Sequence, residues 1–319
     1  MRTPALLPLL LLAAVVAQGA VRGSIPLGLD AYRPIPEDNP LTPAKIALGR
    51  KLFFDRRLSR DQSLSCSTCH QPRRSFTDGR PVAVGIEGRT GARNVPTLIN
   101  RVYGKSHFLD GRAESLERQA IEPIQNPKEM DMTLEEVVAR LRRDRRTSNI
   151  TSEELARALA SYVRTILSGN APIDRYMNGE REALSEEARR GLNLFRGKAN
   201  CTACHVGPNF SDEGFHNSGV AWRDGQWLDP GRFVVTGKEA DRGAFKTPTL
   251  REIARTAPYM HNGSLATLEE VIEFYNRGGN RNPYLDPELR PLNLSAEEKA
   301  ALLAFLQSLS GQIQEGMLN

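Results

Sequence analysis

All four cysteines of this 319-residue chain lie in two pentapeptides of the form Cys-x-x-Cys-His, at residues 66–70 and 201–205. A Cys-x-x-Cys pair alone is compatible with a redox dithiol or with half of a zinc site. The histidine after each pair favours covalent haem attachment instead, because two thiols can bond to the haem vinyl groups while the imidazole ligates the iron. The sequence therefore predicts two c-type haems. The residues that would hold them are Cys66, Cys69 and His70 for the first haem, and Cys201, Cys204 and His205 for the second.

The sixth ligand of each iron would decide which chemistry the haem performs. A haem with two strong protein ligands carries electrons, whereas a haem with one free face can bind a small oxidant. Composition leaves this choice open. The remaining candidates are His107, His216, His261, the six methionines and the seven tyrosines.

The composition is that of an ordinary globular protein, with 39% apolar and 25% charged residues. The formal charge of +5 is weak evidence for an anionic partner, because Arg2 lies in a predicted signal peptide and two haems would add four propionates. The dense basic run at residues 140–146 contains no aromatic residue, so nucleic acid binding is not expected. We interpret this run as a solvated helix end, with a docking patch for an acidic electron donor as the alternative.

The N-terminus has the pattern of a secretory signal peptide. Arg2 supplies a short positive region, an almost unbroken apolar run covers residues 5–17, and a cleavage point follows near residues 18–20. The apolar run is too short to span a bilayer comfortably. We therefore expect residues 1–22 to be a signal peptide cleaved near Ala20, with an uncleaved anchor as the alternative, and a periplasmic mature protein.

The order of motifs indicates that the chain is an internal duplication. The tripeptide at residues 96–98 (PTL) recurs at 248–250, and SLE at 115–117 recurs as TLE at 267–269. Both recurrences have an offset of 152 residues (248 minus 96), and each copy carries one haem pentapeptide. The sequence therefore predicts two cytochrome c-like haem domains related by this duplication, at residues 23–172 and 173–319.

The elements that position the two pentapeptides are expected to be helices. Four are predicted: from Thr42 and Pro43 toward Phe54, from Ser152 to near Gly169, from Ser185 toward Phe195, and onward from a capping box of Ser295 and Glu298. The sequence has no long strand patterns, and loops rich in glycine and proline are expected around residues 77–94 and 207–248. The predicted fold class is therefore mainly α.

Five further segments carry a resemblance to a known family. They are residues 93–97 (RNVPT), 108–113 (FLDGRA), 119–120 (QA), 123–130 (PIQNPKEM) and 258–263 (PYMHNG). Together these segments resemble the bacterial dihaem cytochrome c peroxidases and the related methylamine-utilisation protein MauG. The resemblance extends from about residue 40 to about residue 310.

The resemblance implies that the haem on His70 is the peroxidatic one and that Gln119 and Glu129 form its distal pocket. Cleavage of peroxide needs a base that takes a proton from one oxygen and returns it to the leaving hydroxide, and a carboxylate can do so. The amide would orient peroxide and solvent. Without the surrounding motif, Glu129 would be interpreted as an ordinary acidic residue at a helix start beside Pro127.

Two positions depart from the peroxidase pattern and concern the iron ligands. Ile86 stands where many of these peroxidases have a histidine that caps the peroxidatic iron, so we expect a five-coordinate first haem that needs no reductive activation. Tyr275 stands where the peroxidases have an axial methionine, which resembles MauG, whose second haem has histidine and tyrosine ligands. Phenolate ligation would favour ferric and higher oxidation states. The alternative is a structural Tyr275, with Met260 as the ligand.

A third departure lies between the predicted haems. Both groups of relatives have a tryptophan directly before the Asp-Gly pair at residues 110–111, and here that residue is Leu109. An aliphatic side chain cannot be oxidised, so it cannot serve as a hopping station. Transfer between the haems would then use direct tunnelling or another aromatic residue, such as Phe108 or Tyr103.

The resemblance also implies one calcium ion between the two domains. The family binds this ion through an asparagine side chain and two backbone carbonyls, which are oxygen ligands of the kind calcium prefers. The matching residues are Asn94, Thr256 and Pro258.

Three functions remain open on the sequence. The first is a peroxidase that reduces H2O2 to water with electrons from a small cytochrome c or cupredoxin. The second is a MauG-like oxidase that takes electrons from a partner protein, which Tyr275 and Ile86 favour and Leu109 does not. The third is a non-enzymatic electron-transfer cytochrome, against which Gln119 and Glu129 argue. A homodimer is compatible with each of the three.

Overall fold

The computed structural model describes residues 24–316. The predicted signal peptide, residues 1–22, lies outside the described residues. Within residues 24–316 the fold is mainly helical, as predicted, and the strands are only two or three residues long. No helix in this range combines the length and the apolar character that crossing a bilayer requires.

The helices and strands of the described range follow in chain order. The helices are α1 (Pro43–Phe53), α2 (Cys66–Cys69), α3 (Leu116–Gln125), α4 (Leu134–Leu141), α5 (Ser152–Val163), α6 (Pro172–Met177), α7 (Glu186–Arg196), α8 (Phe233–Thr236), α9 (Leu268–Asn276) and α10 (Ala296–Gln307). The strands are β1 (Leu167–Gly169), β2 (Phe215–His216), β3 (Trp222–Arg223), β4 (Gln226–Trp227), β5 (Phe245–Lys246) and β6 (Gln312–Gln314). They pair antiparallel as β1 with β6, β2 with β5, and β3 with β4.

Capping side chains explain where the four longest helices begin. Thr42, Thr151, Ser185 and Ser295 each accept a hydrogen bond from the backbone N–H three residues further along the chain. These bonds satisfy N–H groups that the first helical turn leaves without a partner. The predicted starts of α1, α5, α7 and α10 are therefore confirmed.

The predicted end of α5 near Gly169 is wrong, because the helix ends at Val163. The chain turns there into β1, whose partner β6 lies near the C-terminus. Asn100 holds the turn: its backbone N–H donates to the Ile166 carbonyl at 2.9 Å, and its side-chain oxygen accepts from the Ser168 N–H at 2.9 Å. Both partners are remote in sequence, so the local apolar pattern does not reveal where the helix stops.

Two separate clusters of buried apolar side chains lie beneath the helices. The first takes its fully buried members from residues 52–166, and the second takes them from residues 171–309. Cys66 packs against the first cluster and Cys201 against the second. Each Cys-x-x-Cys-His pentapeptide is therefore supported by its own core.

Each core is crossed by one close pair of helices, α1 on α5 and α7 on α10. Gly49 of α1 lies so near the backbone carbonyl of Ala158 that a Cβ atom would collide with it. Gly191 of α7 has the same relationship to the carbonyl of Ala301. Only glycine permits this approach, so the two helix pairs are fixed by the same kind of contact.

Polar contacts join the two parts of the chain that carry these cores. Arg101 forms a buried ion pair with Glu213, with the closest nitrogen and oxygen 2.8 Å apart. The backbone N–H of Asn94 donates to the His261 carbonyl at 2.7 Å. The second bond brings the loop around residue 94 against the loop around residue 261, and both residues line the second of the cavities described below.

Candidate functional site

A first cavity collects residues that the sequence places far apart. Cys66, Cys69, His70, Gln119 and Glu129 all line it. Most of the remaining wall is apolar and includes Phe53, Leu64, Val84, Leu98, Ile124, Met130, Leu159 and Val163. An apolar cavity with a few polar groups is typical of a cofactor site.

The short helix α2 sets the direction of the His70 ring at the edge of this cavity. The Nδ1 atom of His70 lies 3.0 Å from the backbone carbonyl oxygen of Phe76. A carbonyl oxygen only accepts, so Nδ1 carries the proton and Nε2 keeps a free lone pair. Burial lowers the pKa of His70 to about 4, so the ring is neutral. A neutral imidazole with a free Nε2 is the form that ligates haem iron.

The thiols of the pentapeptides are unpaired, and burial holds three of them in the protonated form. None of the four cysteines forms a disulfide. Burial raises the pKa values of Cys66, Cys69 and Cys201 to about 12.

The carboxyl group of Glu129 is held inside the first cavity. Desolvation raises its pKa, while a hydrogen bond from the Asn126 side chain and the charge of Arg112 act in the opposite direction. The Asn126 nitrogen lies 2.7 Å from the Glu129 Oε1 atom. A carboxyl group with a raised pKa beside a reaction cavity can exchange a proton under mild conditions.

Gln119 and Glu129 reach the cavity from a helix and from the turn that follows it. Gln119 lies on α3, which ends at Gln125, and the backbone N–H of Glu129 then donates to the Asn126 carbonyl at 2.9 Å. Gly85 packs on the other side of this turn, where a Cβ atom would collide with the Lys128 carbonyl. The turn is thereby held in place from both sides.

Ile86 follows in the same loop but does not line the first cavity. Its side chain is buried, and its backbone N–H donates to the Glu129 carbonyl at 2.9 Å. Of the five histidines of the chain, His70 alone is among the residues that line this cavity.

A second cavity of about 310 Å³ surrounds the other pentapeptide. Cys201, Cys204 and His205 line it. The Nδ1 atom of His205 lies 2.8 Å from the Phe210 carbonyl oxygen, which again leaves Nε2 free. Burial lowers the pKa of His205, so this ring is neutral as well.

The phenylalanines that hold the two histidines were not found by sequence reasoning. Phe76 and Phe210 both adopt left-handed backbone conformations, with φ of 61° and 50°. Such a conformation is unfavourable for a bulky residue and persists only where its surroundings enforce it. The common motif Phe-x-Asp at residues 76–78 and 210–212 was the available signal, but it does not show that the phenylalanine carbonyl is the functional group.

Both candidates for the distal ligand of the second haem line the second cavity. Tyr275 reaches it from α9, and Met260 reaches it from the loop before that helix. Desolvation, together with the nearby sulfur atoms of Cys201 and Cys204, raises the pKa of Tyr275 to about 12. The structure thus brings Tyr275 close to both attachment cysteines.

Two histidines of the second cavity are engaged elsewhere. His216 has Nδ1 at 2.6 Å from Asp286 and Nε2 at 2.9 Å from Asp212, so both ring nitrogens are occupied. The His261 ring stacks on Phe245, with centroids 3.8 Å apart and planes 9° apart. Among the histidines of this cavity, His205 is therefore the best placed to ligate an iron, since its Nε2 atom has no hydrogen-bond partner among the described residues and its ring is not stacked on another. The third candidate, His107, lines neither cavity.

The region around Leu109 contains an aromatic residue that sequence reasoning missed. Leu109 and Phe245 line the same cavity. Phe245 directly precedes Lys246, whose backbone N–H donates to the Leu109 carbonyl. Phe108 instead packs under the Arg112 guanidinium at 3.5 Å, and the Tyr103 hydroxyl donates to a carbonyl near the surface. At the 152-residue offset, Phe245 matches Arg93 (245 minus 152), so the repeat gave no signal for it.

The three residues matched to a calcium site also line the second cavity. Asn94 reaches it from the loop before the PTL tripeptide, while Thr256 and Pro258 reach it from the segment before α9. The Asn94 side chain donates to the Arg80 carbonyl at 2.7 Å.

Comparison with known sequences groups this chain with dihaem proteins. The profile of the family described as "Di-haem cytochrome c peroxidase" matches residues 43–182. The methylamine utilization protein MauG of Methylorubrum extorquens is 42% identical over 290 residues, which cover 88% of this chain and 82% of that protein. The cytochrome-c peroxidase IdrP1 of Pseudomonas sp. (strain SCT) is 37% identical over 316 residues, which cover 87% of this chain and 83% of that protein.

One solved structure is similar along almost its whole length. It is the crystal structure of a MauG-like protein associated with microbial copper homeostasis, with a TM-score of 0.83 and 34% sequence identity. The match covers 89% of this chain and 95% of that chain. The relatives thus include proteins named as peroxidases and proteins named as MauG or MauG-like.

Proposed function

The chain belongs to the di-haem cytochrome c peroxidase family and is an oxidoreductase of that family, and from this premise we propose that it reduces H2O2 to water in the periplasm. Each H2O2 takes up two electrons and two protons and yields two water molecules. The electrons come singly from a small cytochrome c or cupredoxin. The observation that carries the proposal is that Glu129 and Gln119 line the same cavity as Cys66, Cys69 and His70.

The haem attachment sites are the best supported part of this proposal. The thiols of Cys66 and Cys69 would hold the first haem, and those of Cys201 and Cys204 would hold the second. His70 and His205 would ligate the irons, and the carbonyls of Phe76 and Phe210 orient the two imidazole rings. Bound haem supplies the iron that binds peroxide and exchanges electrons.

Glu129 is the proton-transfer group of the first site. Its ionised carboxylate takes a proton from the near oxygen of peroxide and returns it to the far oxygen, which then leaves as water. The Asn126 side chain holds the carboxylate in position at 2.7 Å. The Gln119 amide orients peroxide from the same side, and the apolar wall around them excludes bulk water.

The second site delivers electrons to the first. His205 and Tyr275 would ligate its iron, and among the described residues no tyrosine and no histidine besides His70 lines the first cavity. The difference supports our proposal that peroxide reacts at the first site and that electrons enter at the second.

The proposal includes the domain organisation and export of the protein. Residues 1–22 are a cleaved signal peptide, residues 23–172 form the peroxidatic domain, and residues 173–319 form the electron-transfer domain. The two separate apolar cores and the matching glycine contacts of Gly49 and Gly191 support a duplication of one module.

One calcium ion between the two domains is also part of the proposal. Asn94, Thr256 and Pro258 line one cavity, which supports a site built by residues from both domains. The ion would stabilise the contact between the loops that carry these residues.

A MauG-like oxidase is the second candidate function. Tyr275 in the second cavity favours it, as does the 42% identity to a MauG protein. In that case the electrons come from side chains of a partner protein instead of from a small redox protein.

Electron paramagnetic resonance of the fully oxidised protein tests the proposal. We expect one high-spin and one low-spin ferric signal, and H2O2 should consume the high-spin signal. Two low-spin signals that do not respond to peroxide would overturn both enzymatic functions. Steady H2O2 consumption with a reduced small cytochrome c supports the peroxidase, and its absence in a protein that still reacts with peroxide supports the oxidase.

A further inference from the structure

The segment that follows α9 forms one wall of the second cavity. We call residues 277–292 the strap, and the members that line the cavity are Asp286, Glu288, Leu289, Arg290 and Leu292. Both ends of the strap bond to the last turn of α9. The Gly278 N–H donates to the Tyr275 carbonyl at 2.9 Å. The Leu292 N–H donates to the Asn276 carbonyl, also at 2.9 Å. The base of the strap therefore lies beside Tyr275.

His216 holds the middle of the strap against the loop that follows the second haem pentapeptide. Its Nδ1 atom lies 2.6 Å from the Oδ2 atom of Asp286, and its Nε2 atom lies 2.9 Å from the Oδ2 atom of Asp212. Asp286 belongs to the strap, whereas Asp212 lies seven residues beyond His205 (212 minus 205). This pair of bonds, the bridge, joins two segments that are 74 residues apart in the sequence (286 minus 212).

The two bonds of the bridge are of a strong kind. Desolvation raises the pKa of Asp212, but the hydrogen bonds from His216 and from the Gly214 N–H lower it further, so this carboxylate is ionised. Carboxylate oxygens only accept, so both ring nitrogens of His216 donate. Hydrogen bonds between ionised groups are roughly twice as strong as bonds between neutral groups. The Asp286 N–H also donates to the Asn217 carbonyl at 3.0 Å, which places a backbone bond beside the bridge.

The bridge lies at the attachment point of the second haem. The Cys204 sulfur, a carboxylate oxygen of Asp212 and a ring nitrogen of His216 all lie within 4.8 Å of one another. Cys204, His216 and Asp286 line the second cavity, as Tyr275 does. A haem bonded to Cys204 would therefore have the bridge at its edge.

We propose that His216 is a positioning residue of the second haem: its bridge keeps the strap closed, which holds Tyr275 at the iron and excludes exogenous ligands. The inference rests on the proposed function, in which His205 and Tyr275 ligate this iron. It adds a reason why the second haem only carries electrons while peroxide reacts at the first. Without the bridge, the strap would no longer fix the last turn of α9, and a small anion would replace Tyr275.

Cyanide binding to the fully oxidised, haem-loaded protein tests this role by electron paramagnetic resonance. His216→Gln replaces two donor nitrogens with one, which breaks the bridge. Asp286→Ala releases the strap from its other end, and Asp224→Asn at the exposed turn between β3 and β4 is the control. In wild type and D224N, cyanide should convert only the high-spin signal. In H216Q and D286A, it should also shift the low-spin signal of the second haem to that of a cyanide complex.

The double variant H216Q/D286A separates loss of the bridge from general loosening. If His216 acts through Asp286, cyanide should bind to the second haem of the double variant no faster than to that of the faster single variant, because no bridge is left to break. Effects on the rate constant that multiply in the double variant overturn the proposal.

Covalent haem content, measured by mass, is determined first. A wild-type protein with fewer than two haems contradicts the proposed function itself. Where both haems are attached, two results overturn the role of His216 and leave the proposed function standing. The first is cyanide binding at the second haem of wild type, and the second is a low-spin signal that resists cyanide in both H216Q and D286A.

Asp286→Glu supplies an independent arm if H216Q does not retain the second haem. D286E keeps the carboxylate that His216 requires, so it should restore most of the exclusion of cyanide that D286A loses. Equal admission of cyanide in D286E and D286A would show that the strap is not held through the carboxylate, which overturns the proposal.

Discussion

The side-chain amide of Asn126 donates at 2.7 Å to the carboxylate of Glu129, which lines the cavity that also contains Cys66, Cys69 and His70. This bond favours the ionised form of Glu129 against the desolvation that raises its pKa. The balance between the two effects sets the pH at which Glu129 becomes a base.

Replacement of Asn126 with alanine should move the pH profile of peroxide turnover. Loss of the hydrogen bond raises the pKa of Glu129 further, so a smaller fraction is ionised at a given pH. The acidic limb of kcat/KM should shift upward by about one to two pH units, since hydrogen bonds to charged groups contribute roughly 1.5–3 kcal/mol. Gln125→Ala, at the neighbouring exposed amide, is the matched control. An identical shift in both variants, or in neither, contradicts a positioning role for Asn126.

Replacement of Glu129 with glutamine should remove the proton transfer itself. Positioned general acid–base groups contribute roughly 10²–10⁴-fold to a rate, so peroxide cleavage should slow by about that factor. Stopped-flow absorbance of the high-spin ferric haem after mixing with H2O2 measures the rate of this step directly. Haem content should be unchanged, and Glu135→Gln at an exposed site on α4 should retain wild-type rates. Unchanged cleavage in E129Q would remove Glu129 from the mechanism.

Substitution of either close-contact glycine should destabilise the helix pair to which it belongs. In Gly49→Ala or Gly191→Ala, the added Cβ meets a backbone carbonyl of the facing helix, which cannot rotate away as a side chain can. Overpacking of this kind costs about 1–3 kcal/mol of unfolding free energy. Chemical denaturation of the haem-loaded protein measures the loss. Arg190→Ala on the exposed side of α7 should change stability by less than about 0.5 kcal/mol, and a similar loss in R190A would show that the effect is not one of helix contact.

Local signals carried most of the prediction from sequence. Features that depend only on residues close in sequence could be predicted from one sequence. They are the pentapeptides, the capping residues Thr42 and Ser295, and the absence of long strands. The end of α5 depends on β6 and Asn100, which are distant in sequence. Sequence reasoning could not locate that boundary, because a helix pattern continues through Ile166 whether or not a strand partner exists.

The contacts between the parts of the chain that carry the two apolar cores were the least predictable part of the site. Lys246, Arg101 and Glu213 are ordinary charged residues in the sequence, and only the folded chain buries them together. Phe245 escaped notice for the same reason, although it lies beside Leu109. A resemblance to a family identifies residues that match its motifs, and Phe245 lies outside those motifs.

Replacement of Tyr275 with phenylalanine should open the second iron. Both Tyr275 and Met260 line the second cavity, so each single variant distinguishes between them. In Tyr275→Phe the low-spin ferric signal of the second haem should be lost and a second high-spin signal should appear. Met260→Leu should keep the low-spin signal. The reverse pattern would assign the ligand to Met260, and persistence of the low-spin signal in both variants would exclude both residues.

Tyr275→Met then connects the ligand to the choice between peroxidase and oxidase. A phenolate stabilises the ferric state, and a thioether stabilises the ferrous state relative to it, so the potential of the second haem should rise in this variant. A higher potential makes reduction of the second haem by a small redox protein more favourable. It also makes oxidation of the second haem beyond the ferric state less favourable, so this haem can share less of the oxidising charge of the first. If the native protein is a peroxidase, Y275M should therefore retain turnover with a reduced cytochrome c. If it is an oxidase, Y275M should lose the reaction with its protein substrate while the first haem still consumes peroxide.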